Sequence, residues 1–149
     1  MLASARLFAL VFLAILVTSE ASLAQTNAET ASKWGLLGNW RFDCSTPPSR
    51  DDGRLTYAVR GGKLFHDRDF GDAKDSNAVM LATRKTDGSL ELVVNFVSLK
   101  QTRQYSLIKG SDGRLRAISN RNVDTNEYTV VDGKLTANGN EMRWQIRCR

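Results

Sequence analysis

The sequence predicts an all-β fold, a single antiparallel up-and-down β-barrel of about eight strands, preceded by a cleaved signal peptide. Three observations carry that expectation. Trp40, Phe42 and Cys44, and far along the chain Met142, Trp144, Ile146 and Cys148, are large apolar residues or cysteines separated by polar ones. That is the period of a half-buried strand. Turn chemistry recurs between such runs. The chain has two cysteines, one in each of the two alternating segments.

The opening residues read as an export signal. Arg6 precedes the apolar run Leu7 to Val17, and Ser22-Leu23-Ala24 supplies small residues before Gln25. Such a run is too short to span a bilayer, so residues 1–24 form a signal peptide and the mature chain has no integral membrane segment. Residues 25–37 form a leader: QTNAETASK is small and polar, and Trp34 to Leu37 forms a short helical turn over one end of the barrel.

The barrel domain occupies 38–149. Its first strand runs from about Trp40 to Cys44 and stops at Pro47-Pro48, since each proline fixes its own φ and restrains the residue before it. D-G-x-L then occurs at 52–55, 87–90, 112–115 and 132–135, with Gly61-Gly62 and Asn138-Gly139 as related breaks. Asp-Gly and Asn-Gly accept the positive φ of hairpin turns, and the leucine starts the inward face of the next strand. Strands follow near 54–60, 63–70, 77–84, 89–97, 101–109, 114–120, 127–131 and 141–148, with a short extra at 134–137. Inward sets include Leu55, Tyr57 and Val59, then Leu90, Leu92, Val94 and Phe96. The outward face of the terminal strands carries Arg41, Asp43, Arg143, Gln145 and Arg147, too polar for a lipid-facing barrel.

In an exporting context the two cysteines have one intramolecular pairing, a Cys44–Cys148 disulfide joining first strand to last. Two free buried thiols are the alternative. Closure of the sheet removes its exposed edges.

At Gly38-Asn39-Trp40 the sequence resembles the lipocalin or broader calycin superfamily. The resemblance implies a small barrel opened by a short helical turn and a G-x-W motif, here Gly38 and Trp40. It also implies a late basic residue, Arg147 or Arg149, covering that tryptophan. What it implies about function is binding, with no particular ligand. Small bacterial barrels that inhibit proteases or lysozyme look similar at this level.

A formal net charge of +5 favours acidic surfaces or anionic ligands, and the loss of Arg6 and Glu20 with the signal leaves it unchanged. If the interior is hollow, Tyr57, Met80, Phe96, Tyr105 and Tyr128 are the ligand contacts, with Arg68 and Arg116 as a rim for an anionic group. A filled interior is the alternative. Trp40 and Trp144 are assigned to packing at the closed end. His66 is the one histidine and is expected at the surface or as a satisfied strand residue. No further Cys or His is free to complete a metal site, and no phosphate loop, dinucleotide fingerprint or nucleophile motif is present. The aromatics fall on the inward face instead of interleaving with basic residues, which argues against nucleic acid.

The expectation is therefore an exported, periplasmic or secreted, non-enzymatic binding protein that takes a small apolar or anionic amphipathic ligand without a cofactor. The alternative is an inhibitor or protein-interaction module acting through loops Ser45 to Asp52 and Asp69 to Asn77.

Overall fold

A computed structural model describes residues 25–149, so the signal peptide expected over 1–24 lies outside the described residues. The first element is a helix, α1 (Asn27–Trp34), which occupies the small polar leader and ends where sequence reasoning began a short helical turn, at Trp34. Its start is a capping box: the Glu29 amide donates to the Thr26 hydroxyl and the Thr26 amide to the Glu29 carboxylate. Gly35, at φ 82°, ends it in the left-handed region that glycine enters without steric cost. The two devices supply partners for backbone groups that an isolated end leaves unpaired.

The strands are β1 (Gly38–Arg41), β2 (Arg54–Arg60), β3 (Lys63–Asp69), β4 (Lys74–Arg84) and β5 (Leu90–Phe96). They continue as β6 (Gln101–Lys109), β7 (Leu115–Asn122), β8 (Tyr128–Val131), β9 (Lys134–Leu135) and β10 (Ile146–Cys148). All ten belong to one antiparallel sheet, ordered β10-β1-β2-β3-β4-β5-β6-β7-β8-β9. Each strand from β2 to β9 therefore pairs with its chain neighbour. The meander is as expected; closure into a barrel is not found.

β9 and β10 stand at opposite ends of the strand order, and between them lie only the isolated bridges Lys134↔Glu141 and Leu115↔Gln145. The expected last strand, 141–148, shortens to three residues because 141–145 leaves ladder geometry. Backbone bonds hold this segment at separate points: the Met142 amide donates to the Gly133 carbonyl (2.7 Å) and Gln145 exchanges two bonds with Leu115 (2.8 and 2.9 Å).

The Cys44–Cys148 disulfide is present, with its Cα atoms 5.5 Å apart. It is not a pairing of facing residues on an apolar face. Cys148 lies opposite Asn39, and Cys44 falls three residues beyond β1, where it is exposed. The bond ties the loop after β1 to β10.

The core follows the alternation. Leu90, Leu92, Val94 and Phe96 are fully buried on one face of β5, and Trp40, Leu64, Leu107 and Leu115 join them from neighbouring strands. Burying four such side chains on one strand is worth about 1.5–3 kcal/mol each. From α1, Ala31 and Trp34 complete the same cluster. Asn27 fastens the helix to β4: its side-chain amide donates to the Met80 carbonyl (3.0 Å) and its oxygen accepts the Ala82 amide (2.9 Å). Both groups lie beyond Ala78, where the pairing of β4 with β3 ends, and next to a register shift between Val79 and Leu81 in its pairing with β5.

Three of the D-G-x-L repeats are turns, with Gly88, Gly113 and Gly133 at positive φ. The first is not. Asp52 instead receives the Phe42 and Asp43 amides (2.9 and 3.1 Å) and the Arg41 guanidinium (2.8 Å). Arg41, expected outward, is 3 % exposed, and it also donates to the Thr46, Pro47 and Asp52 carbonyls. A buried cation survives only when it is well partnered, and here both terminal nitrogens of the guanidinium are engaged while Nε is left without a partner. One side chain thus fixes the path of 42–53.

Candidate functional site

The sheet curls so that β2, β3, β6, β7 and β8 face one space of about 260 Å³. Three kinds of residue line it. Phe42, Tyr57, His66, Phe70 and Tyr105 bring ring faces and edges. Leu55, Leu107, Ala117, Val130 and Met142 add aliphatic surface, and Arg50, Arg68 and Arg143 are basic against a single acid, Asp51. The depressions near Met80 (about 520 Å³) and Lys109 (about 390 Å³) each hold at most one aromatic ring.

Period-two alternation places the inner residues. Leu64 and His66 are the two buried positions of β3, and Tyr57 is the buried position of β2 opposite His66. The Tyr57 and His66 rings stack with centroids 4.6 Å apart and planes 17° from parallel. Phe96 and Tyr105 meet His66 edge-on at 5.8 and 6.1 Å. Such offset and edge contacts add to the gain from burial itself.

His66 corrects the expectation of a surface or satisfied histidine. It is 2 % exposed, and neither ring nitrogen has a hydrogen-bond partner. Burial, aided by the Arg68 charge and opposed by Asp75 and Asp67, lowers its pKa to about 3. Burial also pushes the Tyr57 phenol up, with Tyr105 adding to the effect, and raises Tyr105 to about 12 against the pull of Arg103 and Arg68. The inner wall is therefore neutral at ordinary pH.

Arg68 forms a two-pronged ion pair with Asp75 and lies 4.2 Å above the Phe96 ring. Asp75 also accepts from Asn77 (2.7 Å) and Ser98 (3.1 Å), and these bonds, the Arg68 bond foremost, hold its carboxyl below the usual range. With Arg68 already paired, Arg50 and Arg143 are the spare cations; Arg143 lies 4.1 Å over the Phe42 ring.

Of the residues picked from sequence as ligand contacts, Tyr57, Tyr105 and Arg68 meet at this cavity. Phe96 is wholly buried behind it. Met80 does not reach it: it occupies the register shift of β4 and is 59 % exposed. Tyr128 stands beside a second register shift, at Asn120/Arg121, and is also exposed, while Val130 turns inward. Arg116 faces elsewhere, over the Trp144 ring (4.5 Å) and near Glu141 (3.4 Å). Trp144 is accordingly a half-buried platform outside the main core, and Ile146, expected inward, is exposed.

The structural assignments at β1 have a definite geometry. The Trp40 indole N–H donates to the Leu36 carbonyl (2.7 Å). Arg147 lies 5.0 Å from the centroid of the Trp40 ring, donates to the Gly35 carbonyl (2.7 Å), and runs its side chain beside Gly38. The two loops singled out for recognition pack together at the cavity. Gly71, at φ 88°, lies so close to Pro48 that a Cβ there would meet its carbonyl oxygen at 2.9 Å. Residues 74–77, expected in the second loop, begin β4.

Sequence reasoning missed His66, Phe42, Phe70 and the 142–145 wall as cavity residues. The signal for His66 was present, since it follows Leu64 by two. Among the described residues no group of three or more His, Cys, Asp or Glu is placed to hold a metal, and no helix is long and apolar enough to cross a membrane. In comparisons with known proteins, no family model matches the chain, and no curated protein or solved structure matches it significantly.

Proposed function

We propose that the chain is an exported, non-enzymatic binding protein of lipocalin-like character whose cavity takes a small ligand with an apolar body and an anionic head. The carrying observation is the lining: five rings and a set of aliphatic side chains within, and three arginines against one aspartate. The volume, about 260 Å³, falls just below the usual range of small-molecule sites, which run from about 300 Å³ upward, so the ligand is small. Its apolar surface contributes about 25 cal/mol per Å² removed from water, and Arg50 and Arg143 orient the anion. The helix ahead of β1, the Gly38-x-Trp40 pattern and the Arg147 guanidinium on Trp40 support the lipocalin-like reading. The disulfide supports export, because such bonds persist in oxidising compartments.

Isothermal titration with cinnamate and its uncharged amide tests this. Cinnamate binds at least about fivefold tighter, the worth of roughly one unit charge near one solvated cation. Replacing Arg50 and Arg143 by Gln removes the preference. Equal affinity for acid and amide would refute the anionic head; failure of both to bind would refute the carrier reading.

A second reading, an inhibitor or interaction module, is favoured by one feature: the loop after β1 is prearranged by Arg41, Asp52 and the disulfide. Native mass spectrometry separates the two, since a co-purifying small molecule and a co-purifying protein differ greatly in mass.

A further inference from the structure

We propose that His66 is the inner hydrogen-bonding group of the cavity, and that the ligand carries a hydroxyl at the end opposite its anionic head. This rests on the carrier reading above and names the ligand class more narrowly: a hydroxylated apolar acid.

The imidazole is the polar group that the fold leaves unsatisfied at this wall. Both nitrogens are buried and without partners. Tyr57 meets the ring face to face, and Phe96 and Tyr105 meet it through their edges. Asp75 and Asp67, the nearby carboxylates, are engaged by Arg68 and Arg60. An uncompensated buried polar group costs about 1–3 kcal/mol, so a core has reason to replace it unless something else completes it. The ring lines the cavity, and because both nitrogens are covered by the packing around them, a seated molecule completes the ring only as the neighbouring rings shift to admit its hydroxyl.

The chemistry of the missing partner follows from the ring's state. Burial keeps the imidazole uncharged, so it offers one N–H donor and one nitrogen acceptor. A carboxylate accepts only, and the cation beside the ring, Arg68, is already paired with Asp75; the spare cations are Arg50 and Arg143. An ammonium would sit in a neutral aromatic wall next to Arg68. A hydroxyl is small, uncharged, and both donates and accepts, which suits either ring nitrogen. The apolar lining available to its connector includes Tyr57, Tyr105 and Leu107.

The test compares p-coumarate with cinnamate, which differ by one hydroxyl at the end away from the carboxylate. By titration calorimetry the wild-type protein binds p-coumarate about tenfold tighter, the size of one recovered buried hydrogen bond. In His66→Phe, which keeps the stack on Tyr57, the two acids bind within about twofold. If that variant does not fold, the wild-type comparison still decides, together with nitrogen-15 NMR. The chain has a single histidine, so its ring resonances need no assignment. They shift with p-coumarate and stay in place with cinnamate. Equal wild-type affinity for the two acids, or an unchanged preference in His66→Phe, overturns the role of His66 while leaving the carrier reading intact. No binding of either acid overturns both.

Discussion

Breaking the Cys44–Cys148 bond is expected to cost stability and to open one wall of the cavity. The cysteines are 104 residues apart, and the chain-entropy relation for a loop of that size gives about 4.8 kcal/mol. Measured disulfides more often deliver about 2–4 kcal/mol, and we expect about 3 for the Cys44→Ala, Cys148→Ala double variant. For a domain of this size that lowers the melting temperature by roughly 10 °C. The second effect comes from what the bond holds. β10 has three residues, of which Ile146 and Arg147 are exposed, so little burial keeps it on β1. Just before it, Met142, Arg143 and Gln145 form cavity wall in a segment held by isolated bridges at Glu141 and Gln145 and by the Met142 amide bond to Gly133. Cinnamate affinity should therefore fall about tenfold or more in the variant, and the amides of 142–148 should exchange faster with solvent. Urea unfolding of both proteins, with and without a phosphine reductant, measures the first effect, and titration and hydrogen exchange the second. A midpoint shift worth less than about 0.5 kcal/mol, or undiminished affinity in the variant, refutes the reasoning.

Three further outcomes are expected. Because the His66 pKa falls from its ordinary 6.5 to about 3 on folding, the unfolded chain binds the extra proton between those values; stability present above pH 6.5 declines as pH falls through that window. Urea midpoints at pH 7 and pH 5 show a decline approaching about 1.4 kcal/mol per pH unit below pH 6.5, which His66→Phe abolishes; a flat wild-type profile contradicts it. Asp52→Asn strips the buried Arg41 of its counter-charge and destabilises by about 3 kcal/mol, read by denaturant unfolding, whereas Asp51→Asn, one residue away and exposed, shifts it by less than about 0.5. Gly71→Ala forces a Cβ against the Pro48 carbonyl in a left-handed backbone, and should cost about 1–3 kcal/mol by the same measurement.

The strand series was legible because period two is a strong signal when one face is buried. Leu90-x-Leu92-x-Val94-x-Phe96 shows it most clearly, and β2 and β6 match their expected bounds. Glycine after aspartate marked three turns for the same local reason. The helix was misjudged on composition: QTNAETASK is polar, yet Thr26 and Glu29 stand three apart as a capping box, and the apolar pair Ala31 and Trp34 reaches the core. Tertiary partners decided the other differences. Arg41 and Asp52 are ordinary surface residues to any pattern, and become an anchor because the loop returns carbonyls and amides to them. Alternation misled at Met142-x-Trp144-x-Ile146, since 141–145 is not a strand and its side chains divide between the cavity and the Arg116 guanidinium. Register shifts removed Met80 and Tyr128 from the interior, and a shift of one residue leaves no mark in composition.

The strand order has a consequence for biogenesis. From β2 to β9 every partner is the preceding segment, so a growing polypeptide can assemble the meander progressively as it emerges. β1 is the exception on its outer side, where its neighbour is β10. The native sulfur partner of Cys44 is made 104 residues later, so the Cys44 sulfur cannot enter its native bond while the intervening strands are being synthesised. Oxidation is the seal on a sheet that already exists, and an oxidant acting too early finds no correct intramolecular mate for that thiol.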